Sequence, residues 1–372
     1  MNREPILFSG FMEQALYGKN GYYMTDRPRF GRSGDFYTSV QVSSLYGALW
    51  GHVALIDCVD DDRVRIVELG CGDGGLAAAM LPAMLSSKRL QGRKIEYAGV
   101  DLSPVALQRA AHRIGSALEG RAGRGTVSTV FARTPADLIE STGDGFVGAW
   151  VFGNEVLDAL PCDVVRVDRS GLWRLWVARS QEIPSGALPG ALGRGSRRSY
   201  FLAEDRDQTW WREVWTHWAP LLDEFAVDEL VGEWSFGMSG WLREMLTALR
   251  PCTVAFVDYG GFLRDVVGPD RPCGSVRGYR RHELVDDILD VAPDCDITYD
   301  VNFEPVQRLL REHGLRTSAL QRQGAFLLAL PDVLTVLQGF EQQLPGGVRA
   351  ASSLFMPGGG LGDRFVVCKA ER

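Results

Sequence analysis

The strongest structural signal in this 372-residue chain is the segment Glu68-Leu69-Gly70-Cys71-Gly72-Asp73-Gly74-Gly75. It follows the apolar run VRIVEL at 64–69 and precedes a stretch rich in Ala, Leu and Met at about 75–87. The first run predicts a buried strand and the second a helix. Glycines between a strand and a helix allow a tight turn and a close approach of the backbone to a ligand. The segment therefore predicts a nucleotide-binding turn.

Two nucleotide interpretations fit the glycine spacing, and glycines with a purely structural role are a third. Gly70, Gly72 and Gly75 satisfy the dinucleotide fingerprint GxGxxG. Read from Glu68, the segment is also E-x-G-x-G-x-G, a pattern typical of class I methyltransferases. Glu68 favours the methyltransferase because a carboxylate there can orient the loop and attract a cationic cofactor. A nicotinamide-dependent oxidoreductase stays an alternative, although no nicotinamide-site pattern follows.

Strand-like and helix-like segments alternate after this turn. The run IEYAGVD at 95–101 predicts a second strand, and Ser103-Pro104 opens a helix that extends to 118. Further strands are predicted at 127–132, 147–152, 253–260, 325–330 and 364–369. This alternation predicts an α/β fold with βαβ units and a mainly parallel sheet.

The same pattern divides the chain into four parts. They are an N-terminal helical cap with a cofactor-covering loop at 1–60, a Rossmann core at 61–165, an inserted substrate-binding region at 166–300 that includes the core strand 253–260, and a C-terminal part of the sheet at 301–372. Residues 184–198, rich in Gly, Pro, Ser and Arg, predict a mobile loop. The polar stretch 261–300 is too long for a simple connection and is interpreted as functional.

Acidic side chains follow the predicted strands. Asp101 ends the second strand, where one carboxylate can accept hydrogen bonds from both ribose hydroxyls of a cofactor. Asp137 follows the third strand and can contact an adenine amine, but a solvated acid in a helix cap explains it equally well.

A second group of polar residues follows the strand that ends at Gly153. Asn154, Glu155 and Asp158 come next, and if a helical turn begins here the two acids share one face of it. Two carboxylates at the carboxyl end of a parallel sheet could hold a planar guanidinium by paired hydrogen bonds. The alternative is a pair of first-turn acids that stabilises a helix.

Composition narrows the class of protein. The net charge is −7 and no basic block occurs, which argues against a nucleic-acid partner. No run of 18 apolar residues predicts a membrane span. Seven cysteines without a CxxC pair argue against a disulfide framework or a zinc site, and no metal is expected. The start, MNREPILFSGFMEQ, lacks a signal pattern, so a cytoplasmic location is expected.

Several segments together resemble a known family, the MidA-type methyltransferases, once described as domain of unknown function 185. They are ALYGKNGYYM (15–24), GRSGDFYTS (31–39), VELGCGDG (67–74), GNEVLDALP (153–161), VDYG (257–260), GYRRHE (278–283), DITYDVNF (296–303) and QGAFLL (323–328). The resemblance implies a Rossmann-like class I methyltransferase with a seven-stranded sheet, helices on both faces, an N-terminal helical segment and an inserted substrate lobe. Mitochondrial members of the family methylate an arginine during assembly of respiratory complex I.

The resemblance also implies the cofactor S-adenosyl-L-methionine and residues that hold it. The loop residues expected to fold over it are Gly34, Asp35, Phe36, Tyr37 and Thr38. Gly70, Gly72 and Asp101 would hold its methionine and ribose parts, with Glu68 and Asn154 beside them.

Substrate residues are implied in the same way. Glu155 and Asp158 would be the substrate acids, and Asp296 could line the acceptor pocket. His282 could do the same and is the candidate general base, but it could also cap a helix. Asn302 is a third pocket candidate that could instead satisfy buried backbone groups.

The identity of the acceptor stays open. The chain has TSVQVSSLYG at 38–47 where the family usually has TSPEVSPLFG, and bacterial relatives of this family methylate free arginine. This departure favours free L-arginine or a related guanidino small molecule over an arginine in a protein partner. An arginine of a respiratory-complex-type protein is the alternative acceptor, and an assembly factor without catalysis is a further alternative. A homodimer is compatible with the sequence.

Overall fold

The structure is a computed structural model that describes residues 5–26, 42–58, 62–121, 125–143, 145–179, 188–189, 198–204, 208–356, 358 and 360–372. Its strands are β1 (Ile6–Leu7), β2 (Arg63–Leu69), β3 (Lys94–Val100), β4 (Thr126–Ala132), β5 (Trp150–Asn154), β6 (Asp163–Asp168), β7 (Gly171–Arg179), β8 (Leu188–Pro189), β9 (Arg198–Glu204), β10 (Glu229–Trp234), β11 (Thr253–Gly261), β12 (Arg277–Arg280), β13 (Glu283–Val285), β14 (Asp296–Thr298), β15 (Val301–Asn302), β16 (Arg316–Thr317), β17 (Gln321–Arg322) and β18 (Phe365–Glu371).

Its α-helices are α1 (Phe8–Tyr17), α2 (Ser44–Asp57), α3 (Gly75–Ser86), α4 (Pro104–Leu118), α5 (Pro135–Thr142), α6 (Gln208–Glu224), α7 (Phe236–Leu249), α8 (Leu263–Val266), α9 (Ile288–Val291), α10 (Phe303–Glu312), α11 (Gln323–Leu328), α12 (Val333–Gln343), α13 (Gly347–Ala350) and α14 (Leu361–Arg364). Short 3₁₀ turns cover Tyr22–Met24, Lys88–Leu90 and Ser352–Leu354.

The chain forms two compact units, and the first is built on a parallel sheet. This parallel-sheet unit comprises Pro28–Leu157, Trp241–Tyr259 and Gln307–Arg372. Its strand order is β16-β18-β11-β5-β2-β3-β4. Strands β11, β5, β2, β3 and β4 run parallel, and β18 lies antiparallel on β11. The predicted α/β fold with a mainly parallel sheet is confirmed.

The starts of two helices follow from local sequence. The Ser103 hydroxyl accepts a hydrogen bond from the Ala106 N–H, with Pro104 at the first position of α4. Thr134 caps α5 in the same way, with Pro135 next. Proline at the first helical position has a suitable φ and loses no needed donor, so both boundaries could be predicted.

Close packing of α2 on α3 depends on two glycines of α2. A Cβ on Gly47 would lie 2.6 Å from the Ala79 Cβ, and a Cβ on Gly51 would lie 2.7 Å from the Met84 Cγ. Trp50, between them, is fully buried and packs on Phe152 of β5 with ring centroids 4.5 Å apart. This packing attaches α2 to the parallel sheet at β5.

The second unit is mainly antiparallel. This antiparallel unit comprises Met1–Arg27, Asp158–Gly240 and Gly260–Val306. One sheet has the order β10-β6-β7-β9-β8, with β1 paired to β7, and a second has the order β13-β12-β14. Its own core surrounds Trp218 of α6. The predicted hairpin at 163–178 is present, and Asp168 Oδ1 accepts the N–H of Ser170 at its turn (2.8 Å).

One predicted strand is wrong, and no helix follows β5: residues 155–162 form turns, bends and irregular backbone, so Glu155 and Asp158 do not share a helical face. The strand expected near 325–330 is instead helix α11, Gln323–Leu328. A short apolar run fits a buried strand and a buried helix equally well in sequence. Here the sheet edge at β18 is already paired by β16 and β17, so a further strand has no place beside β18.

Candidate functional site

The turn after β2 has the backbone conformation that its glycines were predicted to allow. Gly70, Gly72 and Gly74 have φ values of 66°, 53° and 76°. The Gly70 N–H donates to the Val100 carbonyl (2.8 Å), which ties the turn to the end of β3. A Cβ on Gly70 would lie 2.9 Å from Val156 Cγ2. Residues with a side chain rarely adopt such positive φ values, and a side chain at Gly70 would also collide with Val156. Both reasons favour glycine in this turn.

Asp101 closes this turn from the neighbouring strand. Its Oδ2 accepts the Gly72 N–H and its Oδ1 accepts the Ser103 N–H, both at 2.9 Å. Burial raises the pKa of the Asp101 carboxyl, and the two backbone hydrogen bonds oppose that rise. The structure therefore brings Asp101 to the glycine turn, as predicted.

Glu68 is a buried acid directly before the turn. Its side chain is 4% exposed, and its Oε2 accepts a hydrogen bond from the Tyr97 hydroxyl (2.7 Å). Burial raises the pKa of Glu68 to about 8, and Asp73 and Asp101 add to the rise while Tyr97 opposes it. An acid held in such surroundings favours a positively charged neighbour.

Asp137 lies in the first turn of α5 and is exposed. Its backbone N–H, rather than its carboxylate, makes the cap contact with Thr134 Oγ1 (3.1 Å). Strands β3 and β4 end at the same carboxyl edge of the sheet, and Asp137 follows β4. Asp137 therefore lies at the edge of the sheet that also carries the glycine turn.

Asn154 and Glu155 stand where β5 ends. Leu69 of β2 pairs with Gly153, so the chain after β5 leaves the sheet beside the glycine turn. Asn154 Oδ1 accepts from the Tyr46 hydroxyl (2.5 Å), and its Nδ2 donates to Glu155 Oε1 (2.9 Å). Glu155 has φ +52°, which is uncommon for a residue with a side chain. The two residues are therefore held in one defined arrangement.

Two residues of this region were missed by the sequence analysis. Tyr46 is fully buried and orients the Asn154 amide. Asp258 is 0% exposed, and its Oδ2 accepts the N–H groups of Val156 (3.1 Å) and Leu157 (2.9 Å). The available signal was the acid in VDYG at the carboxyl end of a core strand, where ligand sites of parallel sheets lie.

Asp158 and Asp296 belong to a buried group in the antiparallel unit, the acid–tyrosine cluster. Its members are Tyr17, Tyr23, Asp158, Asp296 and Thr298. The Tyr23 hydroxyl donates to Asp296 Oδ1 (2.7 Å), and the Thr298 hydroxyl donates to Asp158 Oδ2 (2.6 Å). Tyr17 stacks on Tyr23 with ring centroids 5.6 Å apart.

Electrostatics link the members of the acid–tyrosine cluster. Burial, followed by the charge of Asp296, raises the pKa of Tyr23 well above its usual value, and Asp158 contributes to the rise. Burial also raises the pKa of Asp158 to about 6, although Thr298 and Arg277 oppose the rise. The structure thus brings two of the predicted acceptor residues, Asp158 and Asp296, to one tyrosine.

Besides Glu155, the remaining substrate candidates are Asn302 and His282. Asn302 Oδ1 accepts the Glu304 N–H (3.0 Å) at the start of α10, which is a helix-capping contact. His282 is exposed at the turn between β12 and β13, with φ +68°. The predicted cofactor-covering residues Gly34, Asp35, Phe36, Tyr37 and Thr38 lie outside the described residues, as does most of the loop 184–198.

The described part of the chain contains neither a membrane-spanning helix nor a cluster of metal ligands. None of its helices combines the length and apolar character needed to cross a membrane. Within the same residues, no group of three or more His, Cys, Asp or Glu side chains is arranged to hold a metal ion.

Comparison with known proteins identifies relatives of this chain. Residues 50–321 match the family described as "Putative S-adenosyl-L-methionine-dependent methyltransferase". The chain is 25% identical over 390 aligned residues to the Drosophila melanogaster Protein arginine methyltransferase NDUFAF7 homolog, mitochondrial, with 97% of this chain and 80% of that protein covered. The Xenopus tropicalis Protein arginine methyltransferase NDUFAF7, mitochondrial, is also 25% identical, over 83% of this chain and 68% of its own length.

Two solved structures are also similar to this chain over nearly its whole length. A crystal structure from Burkholderia thailandensis with bound S-adenosyl-homocysteine is 25% identical and has a TM-score of 0.76, covering 99% of this chain and 88% of that one. A second structure from the same organism is 24% identical with a TM-score of 0.73, covering 99% of this chain and 87% of that one, and supports the fold. Of the two interpretations of the glycine pattern, these findings favour the methyltransferase.

Proposed function

The chain belongs to this family of S-adenosyl-L-methionine-dependent methyltransferases, and we propose that its methyl acceptor is an arginine guanidinium group. Its cofactor is S-adenosyl-L-methionine, which supplies an electrophilic methyl group bonded to a cationic sulfur. Transfer to nitrogen requires in-line approach, so the chain's main contribution is to position the acceptor.

The residues of the glycine turn fit this cofactor chemically. The turn places backbone rather than side chains at the carboxyl edge of β2, where a Cβ on Gly70 would contact Val156. Asp101 stands at the adjacent strand end, where a carboxylate can accept from a ribose diol. Glu68 is the buried acid that a cationic ligand would stabilise in its charged form. We assign Glu68, Gly70, Gly72, Asp101, Asp137 and Asn154 to cofactor binding.

The observation that carries the guanidinium proposal is the arrangement of Glu155. It follows a strand paired directly with β2, and the Asn154 amide donates to its Oε1. A carboxylate held at that sheet edge can pair with a guanidinium and leave one nitrogen directed toward the methyl group. The names of the two relatives, both protein arginine methyltransferases, support an arginine acceptor.

We propose Asp158 as a second acid for the substrate. Methylation forms a C–N bond, breaks the C–S bond and releases one proton from the guanidinium nitrogen. With a pKa of about 6, Asp158 is mostly a carboxylate at neutral pH and can accept a hydrogen bond or a proton. We also propose Asp296 as a substrate-binding residue, because it belongs to the same acid–tyrosine cluster as Asp158.

Free L-arginine is the first acceptor to test, and an arginine in a protein is the second. The experiment incubates the protein with methyl-labelled S-adenosylmethionine and either L-arginine or cell extract. Label in methylated L-arginine supports the first acceptor, and label in a protein fraction supports the second. Label in neither form of arginine would contradict the guanidinium proposal.

Variants of the two acids test the proposed roles. Glu155→Gln and Asp158→Asn should each lower kcat by about 100-fold, because each removes a charged acceptor of guanidinium hydrogen bonds. Affinity for S-adenosylhomocysteine, measured by calorimetry, should change less than about 3-fold. Glu140→Gln, which alters an exposed acid of α5, is the matched control and should retain full activity. Normal turnover by both acid variants would contradict the proposal.

A further inference from the structure

We infer that Asp258 is a positioning residue for methyl transfer, because its carboxylate fixes the turn after β5 and thereby the direction of Glu155. The inference rests on the proposed role of Glu155 and assigns a function to a residue outside the glycine turn. Asp258 touches neither substrate nor cofactor in this role and acts only through the turn.

Three successive backbone N–H groups of the turn bind β11. The Glu155 N–H donates to the Val257 carbonyl (2.8 Å), which continues the β5–β11 pairing by one residue. The next two N–H groups, of Val156 and Leu157, both donate to Asp258 Oδ2. A parallel strand partner ordinarily offers only backbone carbonyls, so the carboxylate extends the attachment beyond the end of the ladder.

The backbone of the turn explains why such an attachment is needed. Glu155 has φ +52°, a left-handed conformation that is unfavourable for a residue with a Cβ. The two hydrogen bonds to Asp258 can offset that cost, because they hold the next two residues of the turn. Without them, the chain after Asn154 is free to relax toward negative φ, which would turn the Glu155 side chain away.

The chemistry of Asp258 also favours a role beyond packing. Its side chain is completely buried beside apolar core residues of β11, where a carboxylate is costly unless it is hydrogen-bonded. Its Oδ1 accepts the Tyr259 N–H (2.9 Å), so both oxygens act as acceptors. An Asn at 258 keeps one acceptor oxygen and presents its NH₂ group to the N–H donors on the other side, so it cannot satisfy all three N–H groups at once.

A double-mutant cycle tests the inference. The variants are Asp258→Asn, Glu155→Gln and the two together, and the readouts are kcat, KM for S-adenosylmethionine and the affinity for S-adenosylhomocysteine. Asp258→Asn should lower kcat by about 10- to 100-fold, as expected for a supporting residue, with KM changed less than 3-fold. In the Glu155→Gln background it should cause no further loss, because it acts through Glu155.

Asp57→Asn is the matched control for a buried carboxylate. Asp57 lies in the same unit and accepts from Trp150 Nε1 (2.8 Å) and Lys369 Nζ (2.6 Å), at the opposite end of β5. Its loss should lower the urea midpoint of unfolding and leave kcat unchanged. Asp258→Glu is a second variant that keeps the charge but displaces it by one methylene, and it should also lower kcat.

Hydrogen exchange gives a readout that needs no substrate. The amide protons of Val156 and Leu157 should exchange at least 10-fold faster in Asp258→Asn or Asp258→Glu than in the unaltered protein. Unchanged exchange, full kcat in both variants, or the same fold-loss in the Glu155→Gln background would each overturn the inference. If Glu155→Gln is inactive while Asp258→Asn is fully active, only this inference fails. Full activity of Glu155→Gln refutes the proposed acid role and the inference with it.

Discussion

Burial of single acids determines much of the expected behaviour of the site. Glu68 has a pKa of about 8 in the folded protein, whereas an unfolded chain has an ordinary glutamate. Below about pH 4.5 the acid is neutral in both states and adds no penalty. As pH rises from about 4.5 to 8, the unfolded state loses its proton first, so this group progressively destabilises the fold.

Glu68→Gln should therefore stabilise the protein without cofactor at pH 8 by a few kcal/mol in unfolding free energy, and very little at pH 4.5. The same change should weaken S-adenosylhomocysteine binding by about 10-fold, because the ligand's ammonium group favours the charged form of Glu68, which a glutamine cannot adopt. Urea unfolding at several pH values and calorimetry measure the two effects. Glu96→Gln is a control of opposite sign, because Lys94 and Arg65 oppose the effect of burial there and lower the pKa of Glu96. A stability gain that does not depend on pH would contradict the account.

Asp158 should appear in the pH dependence of the reaction. With its pKa near 6, kcat/KM should rise with pH through about 6 as the carboxylate forms. Thr298→Val removes the hydroxyl donor that favours the charged form, so this limb should move to higher pH. Thr253→Val, a change at another buried threonine, should leave it in place. If kcat/KM of Thr298→Val rises with pH at the same point as in the unaltered protein, Asp158 is not the titrating group.

At the scale of elements, the glycine turn also controls how α3 packs on α4. Gly74 has φ +76°, and a Cβ there would lie 2.8 Å from the Ala110 backbone of α4. Gly74→Ala should lower the free energy of unfolding by about 2–3 kcal/mol through strain and displaced backbone. Gly115→Ala, inside α4 with open space around its Cβ position, should raise it by about 0.5–1 kcal/mol. Equal urea midpoints for the two variants would contradict this packing.

Element types could be predicted where local chemistry agrees with packing. In Ser103-Pro104 and Thr134-Pro135 the cap hydroxyl and the proline both favour a helix start, and VRIVEL followed by glycines favours a strand and its end. The run QGAFLL carries no such boundary, so its helical state was decided by the occupied edge at β18. Local sequence signals thus located the glycine turn, but they did not determine whether each apolar run forms a strand or a helix.

At the scale of the whole molecule, each unit has its own core. The described residues assigned to the cofactor all belong to the parallel-sheet unit, while Glu233 lies in the antiparallel unit. Buried Glu233 accepts the N–H groups of Ser275 (2.7 Å) and Val276 (2.9 Å) and the Ser275 hydroxyl (2.7 Å).

Glu233→Leu should lower the free energy of unfolding by about 3 kcal/mol, because it leaves buried donors unpaired. Affinity of the folded variant for S-adenosylhomocysteine should stay within about 3-fold of the original. Glu233→Gln retains one acceptor oxygen and should lose less stability. Urea unfolding measures the stability, and calorimetry measures the affinity for S-adenosylhomocysteine. A large loss of affinity in the folded Glu233→Leu protein would contradict the assignment of the cofactor residues to the parallel-sheet unit.

Neighbouring residues along the chain were enough to predict the glycine turn, its preceding acid and the acid after the second strand, because strand ends, turns and caps depend on local sequence. The sequence also placed Glu155 and Asp158 at the end of a core strand. Only the tertiary structure brought Asp258 to the amides of Val156 and Leu157, and Tyr23 to Asp296. Those contacts join residues 102, 101 and 273 positions apart, and spacing along a chain does not encode which distant strands become neighbours.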